Sequence, residues 1–446
     1  MKQTALLLFG ILFSNLIFAQ WVQVGGQNFN FMTYTIAADN LGNIYAGGAF
    51  TNSANHCFVS KWNGTAWSEL GGFDALAANS QIKSIYVDAQ NNVYAAGNFT
   101  NTSGLRYVAK WNGTSWSELG GNNSLQINNA INSICGDASG NIYAAGVFTN
   151  SNNKQYVAKW NGTNWSELGG TNALAANDYI NSVHCDAAGN VYAGGWFTNS
   201  ITGGSVAKFN GSTWSDLGGS NSLATNGSIE TIKSDASGNI YVAGQFANSS
   251  FNRYVAKWDG NAWSELGGTN ALAANNPIYS ITIAQNGKIY AAGFFYNSSF
   301  NTMVAEYNGN NWTELGAPTS FFNSQTIYSL CVDSYGFIYA AGNTTNDNNN
   351  FFISRYSGTT GIEKNIYDNS IMLSPNPVDE FAFLNSKLIQ NEGSIKVINM
   401  TGAEVLNIAI DNENNKGINL SQLESGVYFI KIGTHDEVRY QRFVKK

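Results

Sequence analysis

The chain has 446 residues and a net charge of −7, with 11% charged and 13% aromatic residues and 47 glycines. Its length allows more than one domain, and its acidic balance excludes nucleic acid as a partner. Asn, Ser, Thr and Gly must carry the solubility, a composition that fits an extracellular surface; no phosphate-binding loop or nucleotide fingerprint is present.

Residues 1–19 read as a secretory signal peptide. Lys2 supplies the positive start, and Ala5 to Phe18 form an apolar stretch broken only by Gly10, Ser14 and Asn15. Cleavage after Ala19 leaves Gln20 first. The stretch is short of the ~20 apolar residues of a spanning helix. Nothing later resembles a second span, so the mature chain is expected to have no transmembrane segment.

From Trp21 the chain is periodic. The tyrosines of a phrase of the form N-I-Y-A-A-G stand at Tyr45, Tyr94, Tyr143, Tyr192, Tyr241, Tyr290 and Tyr339, always 49 residues apart. A period near fifty with strand-like content predicts a radial array, and seven copies predict a closed ring. Each unit carries four strand signals, in the second unit Ile82–Val87, Val93–Phe99, Tyr107–Trp111 and Trp116–Leu119. Four short strands with glycine-bearing turns make one propeller blade.

The first turn ends on Gly42, Gly140, Gly189, Gly238, Gly287 or Gly336, with Asn91 in the second unit, so a positive φ is expected there. The recurrent Asp39, Asp88, Asp137, Asp186, Asp235 and Asp333 open these turns, where Asp caps the backbone. An aromatic pair brackets the second turn, as in Trp111/Trp116 and Trp160/Trp165, and is expected to pack between blades. The seventh unit stops at Tyr356-Ser357-Gly358 without its fourth strand. Trp21-Val22-Gln23-Val24-Gly25-Gly26 supplies the missing piece, so the N-terminal strand is expected to close the ring.

The stretch Tyr107–Leu119, Y-V-A-K-W-N-G-T-S-W-S-E-L, and Ile44–Gly48, I-Y-A-G-G, resemble the kelch repeat. That resemblance implies kelch-like blades. The double glycine of the repeat is kept only at Gly47-Gly48 and Gly194-Gly195.

The copies differ at one face. Between the second and third strands lie Ala54-Asn55-His56, Ser103-Gly104-Leu105-Arg106, Asn152-Asn153-Lys154-Gln155, Ile201-Thr202-Gly203-Gly204, Asn252-Arg253 and Asn348-Asn349-Asn350. Along the inner strand one register reads Ala37, Tyr86, Cys135, His184, Lys233, Thr282, Cys331. Another reads Tyr34, Lys83, Asn132, Asn181, Glu230, Tyr279, Tyr328. Variable loops on a rigid ring commonly carry function. Candidate ligand-binding residues are therefore His56, Arg106, Lys154 and Arg253 on the loops, with Tyr86, His184 and Lys233 on the inner strands.

No catalytic set is evident. His184-Cys185 is an adjacent pair whose side chains diverge on a strand, a poor metal spacing. No metal or cofactor is expected. The four cysteines do not repeat, and a ring holds Cys135 and Cys331 apart, so free or buried thiols are expected. Non-catalytic binding of polysaccharide or protein at the variable face is the leading expectation. A channel-centred glycan lyase or hydrolase, and a structural surface scaffold, stay open beside it.

After Ser357 the repeat ends. Residues 20–358 are assigned to the propeller, 359–370 to a polar linker and 371–446 to a small β-sandwich with short strands separated by turn signals. The expected fold class is thus all-β. Leu373–Val378 (L-S-P-N-P-V), Ile395–Gly402 (I-K-V-I-N-M-T-G), Asn419–Ile432 (N-L-S-Q-L-E-S-G-V-Y-F-I-K-I) and the terminal R-F-V-K-K resemble the type A sorting domain of the type IX secretion system of the Bacteroidota. The resemblance implies Sec export to the periplasm and passage through the outer membrane. It also implies removal of the domain by a C-terminal signal peptidase or sortase, leaving the passenger secreted or attached to surface lipopolysaccharide. By this resemblance Pro375, Asn376, Pro377, Gly426 and Tyr428 belong to the domain's framework, and Lys445 and Lys446 to the segment the translocon reads.

Overall fold

The computed structural model describes residues 20–357 except 27, 122–123, 126, 199–205, 224, 317–324 and 347, and residues 371–445 except 375–377, 387–393, 400–402, 410–417 and 434–437. The expected signal peptide, the expected linker with Gly358, the loop Ile201–Gly204, and Pro375, Asn376, Pro377 and Lys446 lie outside the described residues.

Seven four-stranded antiparallel sheets follow one another as blades. Blade 2 is built of Ile82–Val87, Val93–Gly97, Ala109–Trp111 and Trp116–Glu118. The second and third strands are shorter than the sequence suggests. Phe99 leaves the ladder to become a fully buried anchor packed edge-on against Tyr107. The second strand of each blade, I-Y-A-A-G in blade 3, is buried at all five positions. A strand covered on both faces needs apolar residues throughout, and small ones where the neighbouring blade comes close. The turn after each innermost strand takes the left-handed backbone expected of it, with φ 82° at Gly42 and 62° at Asn91.

Two rings of hydrogen bonds join the blades. Near the axis, hydroxyls on the innermost strands accept a backbone N–H from the next blade. Ser84 accepts from Ile134, Ser133 from Val183 and Ser182 from Ile232, each at 3.1 Å. Ser329 of blade 7 accepts from Ile36 of blade 1 at 3.1 Å, so the ring is closed. Towards the outside, indole N–H groups donate to carbonyls of the preceding blade, Trp116 to Leu70 and Trp165 to Leu119. Trp21 takes the last place in that series and donates to Leu315 at 3.0 Å. Its strand, Gln20–Gln23, pairs with Phe351–Ser357, placing Trp21 opposite Tyr356. The N-terminal strand therefore completes blade 7 and covers an edge that would otherwise stay unpaired.

The C-terminal segment forms a four-stranded sheet and a three-stranded sheet. Val378, Ala382, Ile395, Val397, Ile418, Leu420, Ile430 and Phe443 from both sheets share one apolar cluster, as a sandwich requires.

Candidate functional site

The innermost strands run between two different ends of the channel. At one end are the constant turns. Asp39 accepts the backbone N–H of Leu41 and Asn43 on Oδ1, and the Asn43 amide and Tyr45 hydroxyl on Oδ2. Blades 2 to 5 repeat this cage. Burial raises the carboxyls of Asp137, Asp186 and Asp235, but the Asn, Tyr and backbone donors outweigh it and hold them below the usual range. Blade 7 lacks the asparagine, and there burial pushes the Asp333 carboxyl up. Blade 6 replaces the set with Ala284, Lys288 and Glu306, and closes the last two as an ion pair at 2.8 Å. These carboxylates are committed to shaping turns. The cleft of about 240 Å³ lined by Tyr86, Asp88, Asp137, Gly140, Cys185 and Asp186 lies at this end.

Tyr86, His184 and Lys233 also belong to this end, one or two residues before the turns. Tyr86 and His184 each meet the next blade one residue further along its strand. A Cβ on Gly136 would lie 2.5 Å from the Tyr86 ring, so the tyrosine occupies the space a glycine leaves. His184 Nε2 lies 2.8 Å from Ser234 Oγ. Desolvation and the neighbouring Lys233 bring the His184 pKa down to about 3, so it stays a neutral packing partner. Desolvation lowers the Lys233 ammonium of blade 5, and Cys135 of blade 3 and Cys331 of blade 7 act on it electrostatically in the opposite direction.

The loop candidates hold their own connections. His56 Nδ1 sits 2.8 Å from Asp74. Arg106 bridges Thr100 and Ile127 through its backbone, and its guanidinium donates to the Asn128 carbonyl at 3.0 Å. Arg253 bridges Ala247 and Ala274 and donates to the Phe251 carbonyl at 3.3 Å. The Lys154 backbone N–H is taken by the Asn150 side chain. The sequence candidates thus divide between the two ends of the channel.

A different set converges at the variable mouth. Every innermost strand carries a β-bulge at its second residue, between Ile82 and Ser84 in blade 2 and between Ile131 and Ser133 in blade 3. A bulge leaves one residue out of the ladder and re-aims its side chain. The phrase's last glycine lies opposite, and a Cβ on Gly97 would sit 2.2 Å from the Gln81 carbonyl oxygen, so the bulge needs glycine there. The re-aimed residues are Tyr34, Lys83, Asn132, Asn181, Glu230, Tyr279 and Tyr328, all half-buried.

They touch around the axis. Lys83 Nζ donates to Asn132 at 3.1 Å, and the Asn132 amide reaches the Ile180 carbonyl at 3.3 Å and Asn181 at 3.5 Å. Glu230 accepts from Ser228 and from Gln245, the latter at 2.8 Å. Tyr279, Tyr328 and Tyr34 form an aromatic arc with ring centroids 5.8 and 5.5 Å apart. Desolvation lowers the Lys83 ammonium and raises the Tyr34 and Tyr279 hydroxyls, so the mouth presents a neutral aromatic side and a hydrogen-bonding side.

Aromatic groups extend from this arc. Trp196 and Phe294 share the register of Gln245 and are 48% and 39% exposed. Phe294, Tyr296 and Phe300 follow one another at 6.4 and 5.6 Å. Phe251 and Phe300 adopt φ 62° where other blades use Asn55, Gly104, Asn153 and Asn349. A bulky residue in that conformation costs about 1 kcal/mol, yet both rings are mainly exposed. The sequence distinguished the mouth register by its variation, but only the bulge marks it as the lining of an opening.

In the C-terminal sheet Gly426 pairs with Lys445, and Val378 bridges Lys445. The Tyr428 ring stacks on Phe443 at 5.7 Å and its hydroxyl donates to the Glu424 carbonyl.

Among the described residues no cluster of three or more His, Cys, Asp or Glu is placed to hold a metal ion, and no helix is long and apolar enough to cross a membrane. Residues 373–446 match the family described as the secretion system C-terminal sorting domain. The chain is therefore a β-propeller carrying a type IX sorting tail, a protein secreted or attached at the cell surface. Its fold resembles the extracellular domain of a hybrid two component system from B. thetaiotaomicron, with 14% identity and a TM-score of 0.51 over 96% of this chain and 59% of that one. It also resembles virginiamycin B lyase from Staphylococcus aureus, with 12% identity and a TM-score of 0.51 over 76% of this chain and 98% of that one. The chain thus spans about three-fifths of the B. thetaiotaomicron domain, and both likenesses concern the fold. No curated protein matches the sequence significantly.

Proposed function

We propose that the propeller binds an extracellular polysaccharide across the variable mouth of its channel and leaves it chemically unchanged. The ring of bulge residues carries this reading. Tyr279, Tyr328 and Tyr34 offer adjoining aromatic faces, while Lys83, Asn132, Asn181 and Glu230 offer donors and an acceptor opposite. A sugar ring has apolar C–H faces and a hydroxyl edge, and this division matches both. The strained, exposed Phe251 and Phe300 support a binding surface that extends outward over blades 5 and 6.

Hydrolysis of a glycosidic bond ordinarily uses two carboxyl groups flanking it. The ring contains a single carboxylate, Glu230, already engaged by Ser228 and Gln245. The test is a glycan array with the exported protein, with mass spectrometry of every bound glycan before and after incubation. Saturable binding that is lost in Tyr328→Ala and Asn132→Ala, and kept in Lys154→Ala, is expected. New products would transfer the assignment to a lyase or hydrolase. Silence on glycans with capture of a defined surface protein would replace the polysaccharide by a protein ligand.

A further inference from the structure

Cys135 ends one residue before the close of the innermost strand of blade 3 (Ile131–Gly136), and Cys185 is the last residue of the innermost strand of blade 4 (Ile180–Cys185). Their Sγ atoms are 2.6 Å apart. The contact follows the rule that pairs Tyr86 with Gly136 and His184 with Ser234, each residue meeting the one 50 positions on. Cys331 occupies the same register as Cys135 but clusters with Ala38, so it has no thiol opposite. The protein is exported, and envelope and extracellular compartments maintain disulfides.

We propose that Cys135 and Cys185 form a disulfide that staples blade 3 to blade 4. Formation follows thiol–disulfide exchange with a disulfide-bearing oxidase of the cell envelope. One cysteine thiolate attacks the oxidase disulfide and forms a mixed disulfide, releasing one oxidase thiolate. The second cysteine thiolate attacks the substrate sulfur of that bond and releases the other. Two thiols are oxidised to one disulfide, and their two protons and two electrons pass to the oxidase, whose disulfide is reduced to a dithiol.

Once the blades have stacked, Cys135 is buried, and desolvation pushes its thiol well above the usual cysteine range. A thiol in that state is a poor nucleophile. Cys185 is only partly buried and lines the cleft at the constant-turn end, so it is the sulfur within reach of the oxidase, while Cys135 is covered by the stacked blades. The disulfide sits beside the hydrogen bond from Val183 N–H to Ser133 Oγ, and fixes the innermost strands at the channel wall.

The experiment is differential alkylation of the exported protein, denatured without reductant, followed by peptide mass spectrometry. Cys57 and Cys331 are expected to be alkylated, and Cys135 and Cys185 to appear as one cross-linked peptide pair 2 Da lighter than the sum of the two thiol peptides, opened only by reductant. Alkylation of all four cysteines before reduction would overturn the proposal. So would one equivalent of zinc or copper released with the two thiols, which would make them metal ligands instead. In a second measurement Cys185→Ser should melt about 5 °C below wild type, as expected for opening a loop of this length. Cys331→Ser, which removes a buried thiol of the same register, should move the midpoint much less. Equal shifts for the two variants would remove the stapling role.

Discussion

Replacing Trp21 by Phe tests whether the N-terminal strand fastens the ring. Trp21 is 5% exposed, and its indole N–H donates to the Leu315 carbonyl at 3.0 Å. Phe keeps most of the apolar contact but has no donor. An unpaired buried carbonyl costs about 1–3 kcal/mol. The smaller ring leaves roughly 40 Å² uncovered, about 1 kcal/mol at ~25 cal/mol per Å². The total is about 2–4 kcal/mol. A propeller of this size unfolds with an entropy of roughly 0.7 kcal/mol/K, so the midpoint should fall by about 3–6 °C. Scanning calorimetry measures the shift, and size exclusion reports whether the ring stays monomeric. Trp165→Phe is the matched control, because Trp165 makes the same bond to Leu119 at 3.1 Å between two blades that are continuous in sequence. It should lose a similar amount of stability without association. Deleting residues 20–26 should go further and bare the edge of Phe351–Ser357, giving concentration-dependent oligomers. If Trp21→Phe melts like wild type while Trp165→Phe does not, the closure argument is wrong.

Three further outcomes follow from the same geometry. Gly136→Ala drives a Cβ into the Tyr86 ring and should cost about 1–3 kcal/mol; Tyr86→Ala in the same chain should recover part of that, measured by a double-mutant cycle in urea. Asp137, Asp186 and Asp235 have folded pKa values below the unfolded value, so their stabilisation is present above about pH 4 and lost as pH falls through the folded pKa. Asp333 is raised and acts with the opposite sign, its contribution fading as pH rises through its folded pKa. Acid unfolding followed by tryptophan fluorescence should therefore steepen below about pH 4, and Asp137→Asn should flatten that slope. Lys288→Ala opens an ion pair whose lysine is 40% exposed and whose glutamate is 14% exposed. It should cost about 1 kcal/mol or less, and 0.5 M salt should shrink the difference.

The period, the blade content, the turn residues and the closing strand were all legible in the sequence, because each is local chemistry repeated at one interval. Asp and Gly at the turn, small residues in the doubly covered strand and the displaced W-V-Q-V strand each impose their structure wherever they stand. The sorting tail was legible for the same reason, as a run of short motifs in fixed order. The site was only half legible. Variation among copies singled out two inner-strand registers and the loops, and the sequence reading drew its candidates from the loops and one of those registers. It left out the other, the seven residues that meet at the mouth. A bulge is a property of the pairing of two strands, so nothing in Lys83 or Tyr328 alone announces it. Along the channel wall the contact between blades is likewise offset: Ser133 meets Val183 and Cys135 meets Cys185 at a separation of 50, one more than the repeat, whereas the mouth residues meet at 49, as Lys83 meets Asn132. An alignment in steps of 49 places Cys135 over His184 and Cys331 and conceals its partner. Stacking, which slides each blade by one residue against the last along the channel wall, determined which side chains meet there, and the bulge determined which reach its mouth.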